Sequence, residues 1–429
     1  MRLMACCRLQ VLSLAVVVSM MIGFAIQMLG ISIQKRPQLV PLDRAQESPP
    51  VFIREDVMQR QCHPKMHIMF LKTHKTASST ILNILYRFGE THDLTFALPL
   101  HYQFGYPNLF RARRVKNYRP DSKQEYHILC NHMRFFFPEI KKVMSPDTFF
   151  FSILRNPITM AESSYAYYKS VSSAFKKVRS FEQFLDDPWK YYSIQEPSNH
   201  YARNLLWFDF GFNQNTNYTE KYMETVISNI ENTFHLILLA EYFDESMVLL
   251  RESLCWDLDD VVAFRLNFRS KESVRQLSSE YIEKLKAWNS LDWHLYSHFN
   301  RTFWKKVKQY GYERMQRDVS LLKQKRQNLM ELCLIEGRPV EAARIQDKSI
   351  KPLQFGQARI LGYNIKPELS GSLREKCLRM VIPELQHKDL IDMKQFPPTS
   401  LPTVRQENQG RLQIHKMGIH GGNINAQHL

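Results

Sequence analysis

A loop rich in lysine and hydroxyl groups constrains the fold of this chain more than any other segment. The apolar residues 66–71 lead into Lys72-Thr73-His74-Lys75-Thr76-Ala77-Ser78-Ser79-Thr80, and a helix-like run follows that ends near Phe88. A strand that turns into a helix through such a loop offers free backbone N–H groups, the positive end of a helix dipole and an ammonium group to an anion. The segment therefore predicts a binding site for phosphate or sulfate.

Two other interpretations of this loop have to be weighed. A Walker A loop has the pattern G-x-x-x-x-G-K-[ST], in which the glycines let the backbone wrap a triphosphate. No glycine occurs between residues 66 and 88, which argues against a P-loop NTPase. The simpler alternative is a surface turn in which Ser78 caps an amphipathic helix. A second segment of the chain weighs against that alternative.

This second segment is an apolar strand that ends in an arginine. Residues 148–154 show no polar alternation, which is typical of a strand buried on both faces, and Arg155-Asn156-Pro157 follows them. Pro157 suits the first turn of a helix, and Ser163 falls about two turns into it. Ligands of open α/β sheets bind beyond the carboxyl ends of the strands, so Arg155 and Ser163 can face one crevice. A guanidinium there would bind a second phosphate bidentately.

Strands alternate with helices along most of the chain. We predict strands at 66–72, 126–130, 148–154 and 234–240, and helices at 78–88, 158–169, 245–254, 278–287 and 314–332. This alternation predicts an α/β fold in which helices flank a parallel β-sheet. The aromatic run 288–304 is expected to pack in the core rather than to bind sugar.

The chain divides into five predicted parts. Residues 1–8 are a short cytosolic tail, and residues 9–33 carry no charge and are long enough as a helix to span a bilayer. We interpret 9–33 as a transmembrane signal anchor, with a cleaved signal peptide as the alternative. Residues 34–64 contain five prolines and indicate a stem. A lumenal domain at 65–386 and a polar, flexible tail at 387–429 complete the prediction.

Charge and cysteine content limit the ligands and the disulfides. The formal net charge of +16 favours anionic ligands, and the absence of nucleic-acid-binding motifs argues against a nucleic-acid partner. Five cysteines lie beyond the anchor, an odd number, so at least one of them is free or pairs with another chain. Cys333 and Cys377 are our predicted disulfide, because both lie outside the proposed nucleotide core. Asn217 and Asn300 begin glycosylation sequons.

The amino-acid sequence of these segments resembles that of the galactose-3-O-sulfotransferases, a family of Golgi carbohydrate sulfotransferases. The similarity is carried by F-L-K-T-H-K-T-A-S-S-T from Phe70, C-N-H-M-R-F from Cys130 and S-I-L-R-N-P from Ser152, and it extends to about Gln386. It implies a P-loop-like sulfotransferase fold and 3′-phosphoadenosine-5′-phosphosulfate as the sulfate donor. Ala77 departs from the wider superfamily, in which many members carry glycine. The donor ligands implied by the resemblance are Lys75, Thr76, Ala77, Ser78, Ser79 and Thr80 for the 5′-phosphosulfate, and Arg155 and Ser163 for the 3′-phosphate.

Sulfuryl transfer to a sugar hydroxyl requires charge stabilisation and a base. Lys75 would neutralise the leaving phosphate, and this account needs no metal. Histidine is the commonest base near neutral pH. His132 is our first candidate because it follows a predicted strand, and it matches by resemblance a histidine that hexuronic acid 2-O-sulfotransferases use as base. His74, inside the loop, is the second candidate and could instead orient the sulfonate.

The expected function is a Golgi type II membrane sulfotransferase with a lumenal catalytic domain. The resemblance implies that it sulfates the 3-hydroxyl of non-reducing terminal β-galactose on glycoprotein or oligosaccharide glycans, with glycolipid galactose as a further acceptor. A uronic acid 2-O-sulfotransferase of glycosaminoglycans is one alternative. A lumenal protein that binds nucleotide or glycan without turnover is the other. The sequence leaves open whether the protein forms a homodimer.

Overall fold

A computed structural model of the protein describes residues 62–122 and 125–397. The predicted cytosolic tail, the signal anchor at 9–33 and nearly all of the stem lie outside these ranges. Within the part of the chain that is described, no helix combines the length and the apolar character that a membrane span requires.

Four parallel strands form the central sheet. They are β1 (Ile68–Leu71), β2 (Ile128–Leu129), β3 (Phe149–Leu154) and β4 (Leu236–Leu239), arranged in the order β2-β1-β3-β4. In this register Leu71 pairs with Ser152, and Leu154 pairs with Leu239. Every strand residue is buried, which explains the apolar runs without alternation in the sequence. The predicted parallel α/β sheet is confirmed, with strands shorter than predicted.

Helices cover both faces of this sheet. In chain order they are α1 (Ser78–Thr91), α2 (Phe137–Ile140), α3 (Pro157–Tyr168), α4 (Ser173–Lys176), α5 (Phe181–Asp186), α6 (Pro188–Tyr191), α7 (Leu205–Asp209), α8 (Glu220–Thr233), α9 (Phe243–Leu254), α10 (Leu258–Val261), α11 (Ser279–Trp288), α12 (Ser290–Tyr310), α13 (Tyr312–Cys333), α14 (Gly371–Val381) and α15 (Glu384–Gln395). A two-stranded antiparallel sheet, β5 (Val340–Glu341) and β6 (Leu361–Gly362), lies between α13 and α14 in the chain.

The core has two apolar layers, one on each face of the sheet. Alternate residues of β1 enter different layers, with Phe70 packing among the residues of α1 and Leu71 on the opposite side. The aromatic run 288–304 extends from the end of α11 into α12. Its residues Tyr296 and Phe299 are buried in the layer that contains Leu71. The prediction that this run belongs to the core is confirmed for Tyr296 and Phe299, whereas Trp293 is half-buried.

The C-terminal region corrects the predicted domain boundary. A flexible tail from residue 387 was expected from the polar composition, but α15 continues to Gln395 and packs against α1. His387 is fully buried, and its Nε2 lies 2.8 Å from Glu90 Oε2. Some polar residues of this segment pair with buried partners, as His387 does with α1 and Gln395 with the backbone of Phe96, which composition alone does not reveal.

Two disulfides fix peripheral segments of the chain. Cys333 at the end of α13 bonds Cys377 of α14, so the predicted pair is confirmed. Cys62 bonds Cys255, which ties the end of the predicted stem to the residue that follows α9. Cys130, next to β2, is free and buried.

Candidate active site

Residues 72–80, called the anion loop below, join β1 to α1 at the carboxyl edge of the sheet. Lys75 and Ala77 adopt left-handed backbone conformations with φ of 60° and 63°. Ala77 precedes α1, and no side chain caps this helix end. The first N–H groups of a helix have no partner within it, and they form the positive end of its dipole. The loop therefore presents backbone donors suited to an anion, although alanine stands where many sulfotransferases carry glycine.

Three hydroxyls of the anion loop are used to shape the loop itself. Thr76 Oγ1 donates to the carbonyl of Thr73 at 3.1 Å, and Ser78 Oγ donates to the same carbonyl at 2.7 Å. Thr80 Oγ1 accepts the backbone N–H of Leu266 at 3.0 Å. The conformation of the loop thus depends on hydroxyls that the sequence predicted as donor ligands, and the uncapped start of α1 supplies backbone N–H groups for an anion.

Arg155 reaches the anion loop from the end of β3. Its guanidinium donates to the carbonyl of Lys75 at 3.1 Å and to Thr159 Oγ1 at 3.0 Å. Ser163, two turns into α3, is buried. The structure therefore brings Arg155 to the loop, as the sequence predicted.

The cations around Lys75 repel one another. Its ammonium lies 3.6 Å from the centre of the Tyr167 ring. Burial, followed by the positive charges of Arg269 and Arg155, lowers the pKa of Lys75 well below its usual value. Because a bound anion would relieve this repulsion, the pocket favours an anionic ligand.

The two candidate histidines pack against each other. The rings of His74 and His132 stack with centroids 4.1 Å apart and planes 15° apart, and both residues are buried. The sequence predicted both as site residues, one in the loop and one beyond β2. We call His74, His132 and the side chains that bind them, Asp209 and Lys72, the histidine cluster.

Asp209 fixes the orientation of His74. The His74 Nδ1 atom lies 2.9 Å from Asp209 Oδ1, and the His74 backbone N–H donates to Oδ2 at 2.8 Å. Tyr106 donates its hydroxyl to Oδ1 at 2.9 Å. Since Asp209 is fully buried, its carboxylate would hold a proton on His74 Nδ1 and leave Nε2 as a hydrogen-bond acceptor. This is the arrangement of a general base with an orienting carboxylate.

His132 has a different environment. Its Nε2 lies 2.9 Å from Lys72 Nζ, while its Nδ1 is buried and has no partner among the described residues. Burial, with smaller contributions from Lys72 and His74, lowers the pKa of His132 well below its usual value. His132 is therefore neutral at neutral pH.

Three residues of the site were missed by sequence reasoning. Lys72 was quoted as part of the loop but given no role, although a second lysine in an anion-binding loop was a usable signal. Asp209 stands alone among aromatic residues in Trp207-Phe208-Asp209-Phe210, and this isolated carboxylate was also a signal. Glu384, whose carboxylate contacts Lys72 at 3.2 Å, had no signal in its surroundings.

Arg134 binds backbone at the edge of the site. Its guanidinium donates to the Phe212 carbonyl at 2.9 Å and stacks on the Phe208 ring at 3.9 Å.

Among the residues that the structure describes, no group of three or more His, Cys, Asp or Glu side chains is arranged to hold a metal ion.

The fold and the site define a class of protein. A parallel α/β sheet whose first strand enters a helix through a cationic loop, beside a paired histidine, is suited to bind a phosphate or sulfate ester and to move a proton next to it. The sequence profile described as galactose-3-O-sulfotransferase matches residues 3–395, and the chain belongs to that family. The prediction of the family and of a sulfotransferase is confirmed.

Individual relatives agree with this assignment over most of their length. The chain is 47% identical to mouse galactose-3-O-sulfotransferase 2 over 352 residues, covering 80% of this chain and 89% of the relative. It is 40% identical to human galactose-3-O-sulfotransferase 4 over 465 residues, covering 91% of this chain and 95% of the relative. It is 44% identical to mouse galactosylceramide sulfotransferase over 331 residues, covering 76% of this chain and 78% of the relative.

Proposed function

We propose that this protein transfers the sulfonate of 3′-phosphoadenosine-5′-phosphosulfate to the 3-hydroxyl of non-reducing terminal β-galactose. The observation that carries the proposal is the hydrogen bond between Arg155 and the carbonyl of Lys75. It joins the two segments from which the sequence predicted two separate anion sites, so one nucleotide with phosphates at both ends can bridge them. The family to which the chain belongs supports the galactose 3-hydroxyl as the acceptor.

The donor would bind along the carboxyl edge of the sheet. The N–H groups at the start of α1 and the ammonium of Lys75 would bind the 5′-phosphosulfate, and Arg155 with Ser163 would bind the 3′-phosphate. In the transfer, the bond from sulfur to the leaving phosphate oxygen breaks as the acceptor oxygen attacks sulfur. Lys75 and the helix N-terminus would stabilise the charge that develops on the leaving phosphate.

The acceptor hydroxyl must lose its proton during the transfer. We assign this step to Nε2 of His74, because Asp209 holds the other ring nitrogen as a donor. His132 was the first candidate from the sequence, but its Nε2 is occupied by Lys72, and so we place it as a hydrogen-bond donor through Nδ1. Both histidines stay in the catalytic set together with Lys75.

The acceptor pocket would lie beside His74. Tyr106 and Tyr201 place their rings 4.7 and 5.5 Å from the His74 ring, and such rings suit the apolar face of a sugar. The relatives named above include enzymes named for galactose and one named for galactosylceramide. We propose galactose on glycoprotein and oligosaccharide glycans as the main acceptor, with galactolipid as a second.

We also propose that the protein is a single-pass type II protein of the Golgi membrane. The support is the uncharged run at 9–33, together with sequons and cysteines that suit a lumenal domain.

A direct assay tests the proposed function. The full chain is incubated with labelled sulfate donor and with a lactosamine-type glycan, galactosylceramide or desulfated heparan. We expect label on the glycan, less on the lipid and none on heparan, and mapping should place the sulfate on the galactose 3-hydroxyl. Transfer to heparan alone would support a uronic acid 2-O-sulfotransferase. Nucleotide binding without transfer to any acceptor would support a protein that binds without turnover.

A further inference from the structure

The carboxylate of Glu384 lies inside the site, although it is 305 residues beyond the hydroxyl that it binds. Its Oε2 accepts from Ser79 Oγ at 2.7 Å and lies 3.2 Å from Lys72 Nζ. Its Oε1 accepts from the Tyr102 hydroxyl at 2.7 Å. The side chains of Lys72 and Glu384 are 3% and 9% exposed, so this is a buried ion pair in which both carboxylate oxygens have partners.

The position of Glu384 is set by contacts that do not involve the anion loop. Glu384 is the first residue of α15, a helix that packs on α1. Asn83 Nδ2 of α1 donates to the carbonyl of Arg379 at 2.8 Å, and His387 pairs with Glu90. The backbone that carries Glu384 is therefore anchored to the same helix that begins at the loop.

Lys72 needs a carboxylate because its surroundings are cationic and dry. A buried ammonium group without a counter-ion is destabilised, because the protein interior does not replace its hydration. The charge of Lys72 is one of those that disfavour the charged form of Lys75, and Glu384 acts on Lys75 in the opposite sense. The titratable or charged groups that face this pair from the packed elements are Lys75, His132, Cys130, Tyr86, Tyr102, Tyr167 and Tyr168.

The charge of Lys72 determines which nitrogen of His132 carries the proton. An ammonium group has donors only, so a charged Lys72 must donate to His132 Nε2 across their 2.9 Å contact. The proton of the neutral imidazole then lies on Nδ1, which is the atom without a partner among the described residues. A neutral Lys72 could accept instead and would allow the opposite tautomer.

We propose that Glu384 is a positioning residue of the sulfuryl-transfer site that acts through Lys72 to keep the His132 proton on Nδ1. Glu384 makes no hydrogen bond to His132 or His74, and Lys72 is the charged group that joins it to His132. Tyr102, which Glu384 also binds, lies edge-on to the His132 ring, but it carries no charge that could fix the tautomer. The free N–H of His132 then serves an oxygen of the bound substrates. This inference rests on the proposed function.

The test compares Glu384→Gln with the parent in the full chain, with labelled donor and a lactosamine-type acceptor. Glutamine keeps the shape of the side chain and removes its charge. We expect kcat to fall about 10²-fold, as for loss of one oriented donor. We also expect the alkaline limb of the kcat profile to move to lower pH, because Glu384 favours the charged form of the neighbouring Lys75, whose pKa burial already lowers. Affinity for adenosine 3′,5′-bisphosphate should stay within about threefold, a change of less than one hydrogen bond.

Two variants serve as controls for this experiment. Asp389→Asn removes a carboxylate from the same helix, where its side chain is 68% exposed, and should leave kcat and the pH profile unchanged. In a Lys72→Met background, Glu384→Gln should cost little further activity, because the ammonium through which it acts is absent.

Several results would overturn the inference. An equal fall in kcat in both backgrounds would show that Glu384 does not act through Lys72. An unshifted pH profile would show that its charge has no effect on proton positions. A gain in donor affinity and rate would identify Glu384 as an anion that blocks the loop. If the parent itself transfers no sulfate to any acceptor, the proposed function fails, and this inference fails with it.

Discussion

The anion loop and the histidine cluster share Lys72 and His74, but they are assembled in different ways. The N–H groups at the start of α1 and Lys75 are neighbours in the chain, and the hydroxyls of Thr76 and Ser78 bond to the nearby Thr73 carbonyl. In the histidine cluster, by contrast, His74 and Asp209 are 135 residues apart, and Lys72 and His132 are 60 apart. The groups that would bind the anion are therefore mostly neighbours in the chain, whereas the pairs of the histidine cluster meet only through the fold.

This difference has a chemical counterpart. The anion loop gathers positive charge around the buried Lys75, and a bound donor would relieve the repulsion that lowers the pKa of this lysine. The histidine cluster instead holds two buried imidazoles in different surroundings, one facing a carboxylate through Nδ1 and the other facing an ammonium through Nε2. We expect mutations in the loop to act on donor affinity and mutations in the cluster to act on turnover.

The largest effect is expected for Asp209→Asn. Asparagine keeps the shape of the side chain but cannot hold the His74 proton on Nδ1 as a carboxylate does. We expect kcat to fall about 10²- to 10⁴-fold with donor affinity nearly unchanged. Steady-state kinetics combined with nucleotide titration measures both. If Asp209→Asn keeps near-parent turnover, turnover does not depend on the histidine cluster as proposed.

The second prediction separates the two histidines. His132→Ala should spare donor binding and lower kcat about 10²-fold, because an oriented N–H is lost. His74→Ala should lower kcat further, by about 10²- to 10⁴-fold, since only His74 would be the base. If His74→Ala keeps more activity than His132→Ala, the base is His132, the first candidate from the sequence.

A smaller effect is expected at Asp292, which supports the helix that carries Asp209. Its carboxylate accepts the N–H groups of Leu206 and Trp207 at 3.1 and 2.8 Å, and burial raises its pKa to about 7. Between an unfolded pKa near 4 and the folded value, the folded chain holds a proton that the unfolded chain has lost, so stability falls as pH rises and levels off above about 7.

Urea unfolding at pH 6 and pH 8 tests this dependence. Between pH 6 and pH 8, the free energy of unfolding of the parent should fall by about 1 kcal/mol more than that of Asp292→Asn, because the variant lacks the titrating group. Asp389→Asn, which removes an exposed carboxylate, should behave like the parent. If the free energy of unfolding changes equally with pH in the parent and in Asp292→Asn, Asp292 is already ionised at pH 6.

The smallest effects are expected at the sequons, which lie outside both regions. Asn217 is exposed in the segment before α8, whereas Asn300 lies inside α12 with its Oδ1 buried. Expressed through a secretory pathway, Asn217→Gln should lose one glycan in mass and keep its activity. Asn300→Gln should keep the parent mass. A loss of glycan mass in Asn300→Gln alone would reverse this assignment.

The sequence predicted those parts of the molecule that depend on local order. The buried strands, the loop before α1 and Pro157 at the start of α3 all have signals within about ten residues. Arg155 was placed correctly beside the loop because parallel strands share one carboxyl edge. The Cys333–Cys377 pair was chosen by its position outside the sheet and is confirmed.

The remaining features depend on contacts that no local pattern carries. The part of α15 from His387 onward was read as a polar tail, and Glu384, three residues before that boundary, was given no role. Polar residues that pair with buried partners look the same in sequence as polar residues in water. The hydroxyls of Thr76 and Ser78 were assigned to the donor, but they donate to the Thr73 carbonyl. A hydroxyl has one proton, and its direction is set by the fold.

The most direct test of the central claim is calorimetric titration of the full chain with adenosine 3′,5′-bisphosphate. The account predicts binding of one nucleotide per chain, weakened about tenfold or more in both Lys75→Ala and Arg155→Ala, since each removes a charge-assisted contact to a different phosphate. Lys323→Ala, which removes a lysine side chain that is 58% exposed on α13, should bind like the parent. Failure of the parent to bind, or undiminished binding in either site variant, would contradict the claim that the two segments form one nucleotide site.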